Sequence, residues 1–188
     1  MKKLLVITFA IGLSANSPFT AADQNTKTVF VTRMSYESNL GGLAGADEKC
    51  QSEADDPISV VSPGIYKAWL SDGINSPNTR FTKSSVPYVL SDGTKVAENY
   101  TDLTDGSIQH GINISPEGKN VGQSLFWSGT NPDGTSAQEF VTCQGWTWSD
   151  PSIYAHAMVG ITNKKSTLWS MHAREKCGKP YKLVCFQQ

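Results

Sequence analysis

Along the pattern of apolar and polar positions, Thr28 to Arg33 (TVFVTR) reads first, as a β-branched, alternating run that predicts a strand. After the Gly41-Gly42 break, Leu43, Ala46 and Cys50 recur at spacings of three and four, which predicts a short helix over Leu43 to Ala54 with Cys50 facing the core. Gly64 to Ser71 (GIYKAWLS) sets Ile65, Lys67 and Trp69 against Tyr66, Ala68 and Leu70. Both sets are largely apolar, so this segment predicts a strand covered on two sides. Val86 to Leu90 and Thr94 to Ala97 flank Ser91-Asp92-Gly93 and predict a hairpin turning at Asp-Gly. Asn99 to Leu103 predicts a helical turn with Asp102 near its start. Leu125 to Trp127 and Lys182 to Phe186 predict further strands, and Asn131 to Gly134 (NPDG) a tight turn. Short helices, several short strands and long loops add up to an α+β fold. Loops of this extent call for cross-links or a function.

The chain has 188 residues, no internal repeat and no linker, so one domain is expected after its leader. Lys2 and Lys3 precede an apolar run, Leu4 to Leu13, that gives way to small and polar residues ending in Thr20-Ala21-Ala22. This is the layout of a secretory signal peptide. The run is too short for a hydrocarbon core about 30 Å thick. Residues 1–22 are therefore expected to be the signal peptide and residues 23–188 the exported domain, periplasmic or extracellular, with no membrane insertion. The first cysteine, Cys50, comes too late to anchor a lipid at the cleavage point.

Export changes the meaning of the four cysteines. In an oxidising compartment Cys50, Cys143, Cys177 and Cys185 should pair, and spacing alone leaves all three connectivities open. There is no CxxC, and His110, His156 and His172 do not stand at zinc-finger spacings from the cysteines. Sixteen Lys plus Arg nearly balance seventeen Asp plus Glu, for a net charge of -1. Loss of Lys2 and Lys3 lowers that by two, to about -3. No overall field collects a polyanion, so nucleic acid is not an expected partner.

The ordered motifs carry a resemblance. Gly45-Ala46-Asp47 with Cys50, then Gly64 to Ser71, is similar to endostatin, the C-terminal domain of certain collagens. Phe126 to Gly134 (FWSGTNPDG), Cys143 followed by Trp146, and Cys177 eight residues before Cys185 continue the match across Val29 to Phe186. Asn39 to Cys50, Tyr66 to Ser71 and Leu103 to Gly106 resemble more closely still a bacterial family of secreted, endostatin-like domains of unknown function. The resemblance implies a C-type lectin-like fold, with short helices on mainly antiparallel strands. It also implies nested disulfides, Cys50 with Cys185 and Cys143 with Cys177.

Fold does not deliver function, so each site is weighed by its chemistry. Sugar-binding C-type lectins hold Ca²⁺ with a Glu-Pro-Asn type loop and a Trp-Asn-Asp strand. Asn131-Pro132-Asp133 lies where the first could be, whereas Ser170 and Met171 follow Trp169 and offer no carboxylate. Ca²⁺ takes six to eight oxygens. No cofactor is therefore expected, with Ca²⁺ the sole candidate, and the simpler reading of the turn is a cap by Asn131. Endostatin's N-terminal zinc histidines have no counterpart before His110. Its heparin site needs clustered arginines, whereas Arg33, Arg80 and Arg174 are scattered. Lys164, Lys165, Lys176, Lys179 and Lys182 form the only basic cluster.

No GxSxG, HExxH or Walker loop is present, and paired cysteines leave no thiol nucleophile. Catalysis is not expected, and Asp102 with Asp105 reads as a cap and turn. Gly145 to Asn163 combines aromatic rings with short polar side chains, as sugar or protein recognition requires. Trp69, Trp127, Trp146 and Trp169 are expected in the core. The expected ligand neighbourhood is Asn131, Asp133, Trp148, Asp150, Tyr154 and His156, serving a glycan or extracellular protein. A secreted hydrolase or accessory domain, or a structural envelope protein, are the alternatives. The sequence sets no oligomeric state.

Overall fold

The computed structural model describes residues 25–137, 141–150 and 155–188. The expected signal peptide and Tyr154 lie outside the described residues.

Strand β1 (Lys27–Val31) is the β-branched run, and it pairs antiparallel with β8 (Val184–Gln187) at the opposite end of the chain, Val29 facing Phe186 and Val31 facing Val184. Alternation then divides the core in two. Val29, Val31, Val184 and Phe186 point to one side, with Trp69 and Tyr88. Phe30 and Cys185 point to the other, with Tyr66, Trp127 and Trp146. The central pair is buried on both faces, so the run read as alternating is in fact apolar at three successive positions, Val29, Phe30 and Val31. Around it the sheet runs β2 (Tyr66–Ala68), β8, β1, β3 (Tyr88–Val89), β4 (Lys95–Ala97). The β3–β4 hairpin turns at Asp92-Gly93 as expected. Its first strand lies parallel to β1, the one exception to antiparallel pairing among these strands. A second, antiparallel sheet has the order β5 (Leu125–Trp127), β6 (His156–Ile161), β7 (Ala173–Lys176).

Helix α1 (Gly42–Ala54) buries Ala46, Cys50 and Glu53, one stripe at spacings of four and three. Gly45 is required at its start, because a Cβ there would stand 2.1 Å from the Leu40 carbonyl oxygen. The helix also covers the free edge of β2 with side chains. Gln51 Oε1 accepts from the Tyr66 N–H at 2.9 Å, and Asp47 Oδ1 accepts from the Ala68 N–H at 2.9 Å. That edge cannot template another strand. Buried Glu53 accepts from the N–H groups of Arg33 and Met34 and from the Tyr36 hydroxyl, tying the helix to the chain leaving β1. Two short helices follow, α2 (Pro77–Arg80) with a Ser76/Thr79 capping box and α3 (Tyr100–Leu103) capped by Asn99. The architecture is α+β with few helices, all but α1 very short.

Two disulfides are formed, Cys50–Cys185 and Cys143–Cys177. They are nested. The outer bridge joins α1 to the last strand across 135 positions, and the inner closes a span of 34.

Candidate functional site

The long connection from β5 to β6 carries most of the expected ligand residues. It leaves β5 over a buried hydroxyl network. Trp69 Nε1 donates to Ser170 Oγ at 2.7 Å, Ser170 Oγ donates to the Thr130 carbonyl at 2.8 Å, and Thr130 Oγ1 lies 2.8 Å from Ser71 Oγ. Ser170, the residue after Trp169, thus serves the core. Gly129 sits at φ +58, and a Cβ there would meet the Ser71 carbonyl oxygen at 2.7 Å, so only glycine lets the chain pass. The Asn131–Gly134 turn then closes on itself. Asn131 Nδ2 donates to Thr135 Oγ1 and to the Ser136 carbonyl, and Asp133 Oδ1 accepts from the Thr135 N–H and hydroxyl.

Further along, Cys143 (φ 46), Gln144 (φ 54), Gly145 (φ 65) and Trp146 (φ 67) form one left-handed turn. Each L-residue in this conformation costs roughly 1–2 kcal/mol. Two anchors hold it: the Cys143–Cys177 bridge, and the Trp146 side chain, buried with its indole N–H donating to the Ser71 carbonyl at 2.7 Å. Strain of this kind persists where the surroundings over-determine it, and it gathers at functional sites.

What the turn presents is Trp148. The Trp146 carbonyl accepts from the Leu40 N–H, and the Trp148 carbonyl accepts from the buried Ser38 hydroxyl at 2.7 Å. Both ends are thus pinned to the segment before α1. Trp148 is 39% exposed, whereas Trp69, Trp127, Trp146 and Trp169 are at 0–1%, in the core as expected. With Asn39, Thr147, Ser149 and Asp150, Trp148 lines a shallow depression of about 360 Å³. Asp150 is held by an interaction of its own.

A second, larger cleft of about 490 Å³ lies on the outer face of the β5–β6–β7 sheet. Met158, Met171, Val141 and Arg174 line it, with Asn131 and Ser136 at the polar side. The expected neighbourhood therefore falls into parts. Trp148 and Asp150 share the shelf, Asn131 borders the cleft, and exposed Asp133 lines neither. His156 lies on β6, in register with Lys176. On β7 the hydrogen bond from Lys179 holds the Glu175 carboxyl below its usual range, and Lys179 is raised in return. Among the described residues no group of three or more His, Cys, Asp or Glu is placed to hold a metal ion.

The profile of a family described as proteins of unknown function (DUF1554) matches residues 33–167. The chain belongs to this family. Comparison with curated proteins gives no match. The stretch matched by the DUF1554 family contains α1, the buried hydroxyls of Ser71, Ser128 and Thr130, the left-handed turn and the Trp148 shelf. It stops short of β7, Arg174 and Cys177.

Three shelf residues, Asn39, Thr147 and Ser149, were not legible as site residues. Asn39 joins only because the fold brings it across more than a hundred positions to Trp148. For Met158 a signal was present: in His156 to Val159, Ala157 and Val159 point inward and the residues between them outward.

Proposed function

We propose that the protein is an exported, non-catalytic binding module of C-type lectin-like, endostatin-like fold that recognises a glycan on the Trp148 shelf. The observation that carries this reading is the contrast between Trp148 and the other four tryptophans. One indole is withheld from the core and set beside short polar side chains by a strained, cross-linked turn. An indole face offers apolar area at low entropy cost, and Asn39, Thr147 and Ser149 offer the hydrogen-bonding partners that ring hydroxyls need.

The fold assignment draws support from the antiparallel pairing of the first and last strands, the nested bridges, and the long excursion between β5 and β6. Export draws support from the two formed disulfides, which persist in oxidising compartments. No helix among the described residues is long and apolar enough to cross a membrane.

A glycan array probed with the wild type and Trp148→Ala tests the reading. The wild type should bind a defined set of oligosaccharides and the variant should lose that set. Equal signals from both remove the shelf, and a bare array combined with capture of an extracellular matrix protein transfers the module to protein recognition.

A further inference from the structure

The cleft on the β5–β6–β7 sheet is built differently from the Trp148 shelf. Its floor is Met158. The Met158 N–H donates to the Val141 carbonyl on one side at 3.0 Å, and Arg174 stands opposite Met158 in register on the other. Met171 and Ala137 add further apolar surface. The polar groups at the rim are already used within the loop. Asn131 donates to Thr135 and Ser136, and Ser136 Oγ accepts from the Gly73 N–H and donates to the Ala137 carbonyl. Among the described lining residues, recognition by hydrogen bond therefore falls to Arg174. Arg174 has an interaction of its own, but a guanidinium carries five donors in a fork and can serve another acceptor. One step along the same face, Lys176 adds a second cation. A volume of about 490 Å³ suits a small organic group rather than an extended chain.

We propose that this cleft binds a ligand carrying one carboxylate on an apolar body. The Arg174 guanidinium takes the carboxylate through paired N–H donors. Met158, Met171 and Val141 take the apolar part, the thioethers adapting to its shape. The cleft and the Trp148 shelf have no lining residue in common, so this site stands whether or not the shelf binds glycans.

The test is NMR titration of protein carrying carbon-13 at the methionine methyls. Met158 and Met171 report on the cleft, and Met34, which does not line it, is the internal reference. N-acetyl-leucine should shift the Met158 and Met171 signals and leave Met34 in place, and its amide should bind about tenfold more weakly or worse. Arg174→Gln should weaken the acid about tenfold and leave the amide unchanged, with Arg174→Lys between. Gly-Gly-Leu and hexanoate separate the two sources of such a group: tighter peptide binding supports a chain end, tighter hexanoate binding a small free acid. Equal binding of acid and amide to the wild type overturns the proposal, as does an Arg174→Gln titration matching the wild type. So does an absence of Met158 and Met171 shifts up to millimolar acid.

Discussion

Asp47 on α1 and Arg80 at the end of α2 meet in an ion pair 2.5 Å long, and the same carboxylate receives the buried N–H of Ala68 through its other oxygen. Arg80 also donates to the Leu70 carbonyl at 3.0 Å. The Asp of the Gly-Ala-Asp motif is thus the clamp between the helix, the covered edge of β2 and α2. Its motif role is structural.

Asp47→Ala leaves the Ala68 N–H without an acceptor and Arg80 without its counter-charge. The expected cost is about 2–3 kcal/mol, read as a melting temperature about 5–10 °C lower. A fall of under about 2 °C would contradict the clamp.

Gln144 is exposed and left-handed, so replacing it removes a local conflict. Glycine there relieves roughly 1–2 kcal/mol of backbone strain and adds about 0.4–1 kcal/mol of unfolded-chain entropy. Gln144→Gly should therefore raise stability by about 0.5–1 kcal/mol, against the usual penalty for a new glycine. Chemical denaturation of the two proteins decides it; a loss of stability means the turn is not strained.

The two bridges should differ in what they hold. Chain entropy assigns roughly 5 kcal/mol to a loop of 135 positions and about 4 kcal/mol to one of 34. The inner bridge works against the three non-glycine left-handed residues, which return roughly 3–6 kcal/mol when the turn relaxes and so offset most or all of its chain-entropy gain. Cys50→Ser with Cys185→Ser should lower the melting temperature by about 10–20 °C. Cys143→Ser with Cys177→Ser should cost only a few degrees yet weaken the proposed ligand binding, because Trp148 loses one of its supports. Equal losses of melting temperature would sink this division of labour.

Burial pushes the Tyr66 and Tyr88 hydroxyls up to about 12. In the unfolded chain a tyrosine titrates near 10. The folded state therefore holds these protons more tightly. Their contribution to stability is complete below about pH 10 and is lost as pH rises toward 12. Thermal melts between those limits should fall progressively, and Tyr66→Phe should flatten part of the decline. A level profile contradicts the burial of these hydroxyls.

Much of the frame was legible because it rests on local signals. The strand over Thr28 to Arg33 appears as Lys27–Val31 and the helix over Leu43 to Ala54 as Gly42–Ala54, and Leu125–Trp127 is a strand as expected. The strand expected over Gly64 to Ser71 pairs only across Tyr66–Ala68, because beyond it the backbone turns to serve Val184 and Ser128. Helix α2 escaped notice: it is one turn long and depends on a capping box at Ser76 rather than on periodicity. Strand β6 was hidden in the segment read as a ligand loop, since Gly160 interrupts its apolar pattern. That glycine is there because a Cβ would strike the Trp169 carbonyl oxygen at 2.2 Å. The left-handed turn could not be read at all, as only Gly145 of its four residues favours positive φ. The site split for the same reason. Residues two apart in sequence such as Asn131 and Asp133 face different surroundings, whereas Asn39 and Trp148 meet only through tertiary structure.

We propose that Trp148 is the ligand anchor of the module. Isothermal titration of the strongest array glycan into wild type and Trp148→Ala tests it most directly. Because Trp148 is exposed and outside the core, the variant should melt with the wild type. It should bind about tenfold more weakly or worse, the loss expected of an aromatic hot spot. Equal dissociation constants for two equally folded proteins would exclude Trp148 as the anchor.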